Sequence, residues 1–194
     1  MSQRVYDLFR QSIEAKITVG EALAPLIEDA ADRIVNAFLN DKKVLVCGNG
    51  PSSALSQIFT SNLLDRFEKE RPSLPAIWLG SNMSSYTAIV SDTGHNDVYA
   101  KPIRALGQQG DVLIVISSSG NASNLLQAIS TARERNIEII ALTGRDGGDI
   151  SALLTESDRE LCAPINSRAR IHEIHLLTLY CICDLIDHKL FGIE

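Results

Sequence analysis

Residues 43–47 read KVLVC and run directly into Gly48-Asn49-Gly50-Pro51-Ser52-Ser53, while residues 111–116 read DVLIVI and run into Ser117-Ser118-Ser119-Gly120-Asn121-Ala122-Ser123. Each apolar run is short, starts at a charged residue and stops at a small-residue loop. That pattern describes a strand buried on both faces, as in a parallel sheet. Working outward, residues 75–79, 137–142 (IEIIAL) and 158–163 supply three more strands. Helical spacing fills the gaps at residues 52–70, 84–91, 97–106, 122–135 and 167–190. Strands that alternate with helices imply a parallel sheet covered on both faces. The expected fold is therefore α/β, a doubly wound five-stranded parallel sheet in the order 2-1-3-4-5, preceded by N-terminal helices. Residues 1–194 read as a single domain. Residues 2–39 are expected to form two helices divided near Gly20 and Pro25. Their apolar stripe lies outside the strand–helix alternation, so residues 1–40 are expected to serve in oligomer contacts.

In that order strands one and three are neighbours, and the winding reverses between them. Ligands settle at the carboxyl ends of strands at such a switch. Both loops feed helix N-termini, whose free amides and positive dipole end favour an anion. Serine hydroxyls add donors, and glycine lets the backbone come close. Neither loop contains a lysine, so a GxxxxGK[ST] nucleotide loop is absent. The expectation is a phosphate site.

Composition narrows the classes. The chain has 194 residues, 45% hydrophobic and 22% charged, with a net charge of −6. Such an acidic chain is ill suited to direct DNA contact, which rests on clustered Lys and Arg. No apolar run is long enough for a membrane span, and the start lacks a signal-peptide core, so a cytoplasmic location is expected. The four cysteines form no CxxC pair and read as reduced core residues. His172 and His175 lie three apart on the last helix and read as a capped or hydrogen-bonded pair of histidines, because no further ligand arrives at matching spacing. A Ser/His/Asp triad lacks the GxSxG turn that would support it. The run from Glu68 to Arg71 reads as a solvated helix end.

Several stretches together resemble the sugar isomerase (SIS) domain family. They are CGNG with Ser52 beyond it, SSSGN at 117–121, ALTGRDGG at 141–148 and ARIHEIH at 169–175. Within that family the chain resembles the bacterial phosphoheptose isomerases. It is more similar still to their non-enzymatic relatives, the DnaA initiator-associating (DiaA) proteins. RFEKERPSLPAI at 66–77, AKPIRALGQQGDVL at 100–113 and CICDLID at 181–187 extend the resemblance over nearly the whole chain.

The resemblance implies the SIS fold, a homotetramer and a sugar-phosphate pocket at Asn49, Ser52, Asp92, Ser117, Ser118 and Ser119. Pro51 stands for a family glycine and Ala122 for a phosphate-binding serine. The isomerases are similar to one another in a QHFxxEL helix and a RIQExHxxxxH helix that hold zinc or shuttle the proton. Here Ile58 and Asn62 replace the His and Glu of the first motif, and His172 and Tyr180 replace the Gln and final His of the second. An amide, a phenol and an alkyl chain are poor substitutes for a near-neutral base or a metal ligand. The expectation is therefore a protein with no catalytic residues, no metal and no cofactor. It would act as a homotetrameric adaptor that binds the replication initiator DnaA, with Leu190 and Phe191 as the partner anchor. The alternatives are a phosphoheptose isomerase acting on sedoheptulose 7-phosphate and a sugar-phosphate-binding sensor.

Overall fold

The computed structural model describes residues 2–193. Its sheet contains β1 (Val44–Gly48), β2 (Ala76–Trp78), β3 (Val112–Ile116), β4 (Glu138–Gly144) and β5 (Arg159–Ala163). All pairings are parallel and the order is β2-β1-β3-β4-β5, as expected. Every residue of β1 and β3 is buried, which is why those two runs are continuously apolar. The two faces separate by alternation along each strand. Val44, Val46, Ile114 and Leu142 turn toward α1 (Ser2–Leu39), α2 (Pro51–Leu64) and α7 (Arg168–Phe191). Leu45, Cys47, Val115 and Ala141 turn toward α4 (Ala100–Leu106), α5 (Ser123–Glu134) and α6 (Gly148–Leu153). The remaining elements are α3 (Met83–Thr93) and a 3₁₀ turn (His95–Asp97).

The N-terminal segment departs from expectation, because α1 is one unbroken helix of 38 residues with Pro25 inside it. Proline removes the bond to the carbonyl four residues back, here that of Glu21. Glu21 and Pro25 are both exposed, so water can serve that carbonyl. Val19, Leu23, Ala30 and Ile34 meanwhile hold both halves against the core. The helix after β1 is shorter than its spacing suggested and ends at Leu64. Arg71 fixes the chain that follows. Its guanidinium donates to the Leu63 carbonyl at 2.7 Å and pairs with Asp187 of α7 at 2.9 Å. No helix among the described residues is long and apolar enough to cross a membrane.

Candidate functional site

The loops after β1 and β3 lie side by side because Gly48 pairs with Ile116 in the sheet. Gly48 has to be glycine, since a Cβ would sit 2.8 Å from the Ser52 carbonyl oxygen and 3.0 Å from that of Ile116. Beyond it, the side-chain amides of Asn49 and Asn124 bond reciprocally at 2.8 and 2.9 Å. This ties the first loop to the start of α5. Tyr99 reaches the same point, and its buried hydroxyl donates to the Gly48 carbonyl at 2.6 Å. Burial pushes that phenol's pKa up, so it remains a donor.

The second loop is built on Gly120. Its φ of +73° is a glycine conformation, and a Cβ there would lie 1.8 Å from the Gly147 carbonyl oxygen. The Gly120 amide donates to the Ser117 hydroxyl at 3.0 Å, and its carbonyl accepts from Ile150 at 2.9 Å. Asn121 accepts from the Asp149 amide at 2.9 Å. The loop is thus bolted to the start of α6. Ala122, the N-cap of α5, has no side-chain oxygen to satisfy the first amides of that helix.

These bonds divide the expected phosphate residues into two groups. Ser117 and Ser52 are buried, and Asn49 is engaged with Asn124, so these three shape the loops. Ser118 and Ser119 are half-buried in the second loop, and Asp92 is exposed on α3. Between the loop after β1 and α3 lies a cleft of about 550 Å³, lined by Asn49, Ser53, Gln57, Tyr86, His95 and Tyr99 among others. Tyr86 and His95 were not singled out in the sequence. His95 follows the Gly94 that ends α3, a position that only the folded chain brings back to β1. Asn96 accepts from the Ser123 hydroxyl at 2.6 Å, which holds the 3₁₀ turn on the first residue of α5.

A second, more apolar cleft lies elsewhere, between α1 and α7, and Tyr180 belongs to it. Its ring packs on Phe67 with centroids 5.6 Å apart. Ile58 is exposed on α2, and the Asn62 carbonyl accepts from Arg71 at 2.5 Å. His175 is buried, with Nε2 on the Thr143 carbonyl at 2.8 Å; burial lowers its pKa to about 4. The pKa of His172 is lowered by burial and then by Arg168. Nδ1 of His175 and Nε2 of His172 have no hydrogen-bond partner. His175 is therefore hydrogen-bonded as its reading allowed, but to Thr143 and not to His172.

The zinc set implied by the family resemblance does not fit these residues. Ile58 offers no donor atom, and Asn62 and Tyr180 offer an amide and a phenol. Among the described residues, no three His, Cys, Asp or Glu side chains gather as a metal site would require. The proposed partner anchor is divided as well. Leu190 packs on the chain's own core, while Phe191 ends α7 at 36% exposure.

The SIS domain model matches residues 8–144. A protein of Chromohalobacter salexigens named phosphoheptose isomerase is 50% identical over 189 residues, covering 97% of this chain and 96% of that protein. One from Shewanella denitrificans with the same name is 47% identical over 191 residues, covering 98% of this chain and 97% of that protein. The solved phosphoheptose isomerase of Francisella tularensis superposes with a TM-score of 0.93 at 42% identity, covering 96% of this chain and 98% of that one.

These relatives overturn three expectations: an adaptor in replication initiation, DnaA as partner, and a non-enzyme. Those expectations weighed four side chains on α2 and α7 above a scaffold that is retained from end to end. The chain belongs to the SIS-domain family and, within it, to the phosphoheptose isomerases.

Proposed function

We propose that this chain binds a phosphorylated sugar where β1 and β3 end and interconverts its ketose and aldose forms, with sedoheptulose 7-phosphate as the first substrate to test. The observation that carries the reading is the full-length similarity to proteins named phosphoheptose isomerase. The phosphate would lie against the hydroxyls of Ser118 and Ser119 and the uncapped start of α5. Ser117, Ser52 and Asn49 would hold that shape from behind, and Asp92 would border the sugar.

Isomerisation moves one proton between adjacent carbons, which needs a group that takes the proton and returns it. Ile58 and Asn62 cannot do this, and Tyr180 packs on Phe67 in the other cleft. The imidazole lining the cleft beside Asn49 is His95. The same replacements favour a second reading, a sensor that binds the sugar phosphate without turning it over. Turnover and binding of sedoheptulose 7-phosphate, measured side by side with and without added zinc, separate the two. Conversion supports the isomerase, saturable binding without conversion supports the sensor, and neither would remove both.

The exposed apolar face of α1, with Val5, Phe9, Ile13 and Ile17, supports self-association through this helix.

A further inference from the structure

Tyr86 and His95 form a small polar station beside the phosphate loops. The Tyr86 hydroxyl and His95 Nε2 are 3.1 Å apart, and the two rings meet edge to face with centroids 6.3 Å apart. Tyr86 in turn packs edge-on against Tyr99 at 6.5 Å, and Tyr99 holds the Gly48 carbonyl and the Asn49 side chain. On the other side, Asn96 accepts from Ser123 at the head of α5. The pair is therefore braced on both loops that would hold the phosphate. It is not buried, since His95 is exposed and Tyr86 half-buried, and both line the same cleft as Asn49, Ser53 and Gln57. Holding two partly exposed side chains in one geometry costs rotamer entropy, which a single hydrogen bond open to water offsets only in part. A ring nitrogen and a phenolic oxygen each donate or accept, which matches the alternating hydroxyls of an open sugar chain.

We propose that Tyr86 and His95 recognise the sugar portion of the bound sugar phosphate and so distinguish it from a bare phosphate ion. This rests on the sugar-phosphate reading above and assigns the end of the ligand that the serine loop does not reach. Phosphate at the start of α5 and hydroxyls at Tyr86–His95 would place the ligand along the cleft floor formed by Asn49 and Tyr99.

The test is isothermal titration of the full-length protein with sedoheptulose 7-phosphate and, separately, with inorganic phosphate. It uses the unaltered chain, His95→Leu and Tyr86→Phe. The expected result is about tenfold weaker sugar-phosphate binding in His95→Leu, a smaller loss in Tyr86→Phe, and unchanged binding of inorganic phosphate in both. Equal losses for the two ligands, or no loss for either, would overturn the assignment while leaving the sugar-phosphate site standing. Failure of the unaltered chain to bind sedoheptulose 7-phosphate would overturn the site reading and this assignment together.

Discussion

Asn49 and Asn124 exchange hydrogen bonds through both ends of their side-chain amides, at 2.8 and 2.9 Å, and this exchange joins the loop after β1 to the head of α5. Asn124 is almost fully buried, so nothing else can replace the partner. Asn124→Ala leaves the Asn49 amide without its main partner and should cost about 1–3 kcal/mol. The same variant should weaken binding of a sugar phosphate, because the two loops lose their register. Urea unfolding and a ligand titration on the same sample check both effects. A loss of stability with unchanged binding would separate this bridge from the site.

Gly120→Ala should be more damaging than an ordinary loop substitution. A φ of +73° costs a non-glycine residue about 1–3 kcal/mol. The new Cβ would also collide with the Gly147 carbonyl oxygen, 1.8 Å away, and push the serine loop off α6. A lowered melting temperature together with lost phosphate binding is expected. Wild-type behaviour in both would show that the loop after β3 is not held as described.

Stability should fall in mild acid because of His175. Burial lowers its pKa from the ordinary 6.5 to about 4, outweighing the hydrogen bond to the Thr143 carbonyl, which by itself favours the charged ring. The unfolded chain therefore takes up this proton first as pH drops. Above about pH 6.5 the group contributes no pH dependence, and between about 6.5 and 4 the folded state loses up to about 3 kcal/mol. Chemical denaturation across that range should show the slope, and a His175→Gln variant should flatten it.

Self-association should depend on the exposed face of α1. Phe9 is 67% exposed and Ile13 55%, one helical turn apart. Phe9→Glu with Ile13→Glu should lower the mass measured by light scattering and leave the far-ultraviolet spectrum unchanged. An unchanged mass would move the subunit contact elsewhere.

The sheet was legible because buried parallel strands have nothing to alternate with, as Val112 to Ile116 shows. Pro25 misled for a definite reason. Its rule concerns the missing backbone bond, whereas the helix is held by Leu23, Ala30 and Ile34 on the opposite side. The place of the serine loop beside the loop after β1 was legible, but the division of labour within it was not. Ser117 and Asn49 spend their polar atoms on Gly120 and Asn124, partners that spacing cannot reveal. His95 was invisible for the same reason, since it sits in a three-residue turn and gains meaning only beside Tyr86 and Tyr99. Ile58, Asn62, His172 and Tyr180, with the resemblance to DiaA proteins, point away from catalysis, whereas the full-length similarity to proteins named phosphoheptose isomerase points to it.

The most direct test is proton NMR of sedoheptulose 7-phosphate incubated with the protein in heavy water. Isomerisation through removal and return of a proton predicts a heptose phosphate product with deuterium on C2, the former carbonyl carbon, and exchange at C1 of the remaining ketose. A substrate spectrum that stays unchanged at high protein concentration, with neither product nor deuterium, would contradict the isomerase reading.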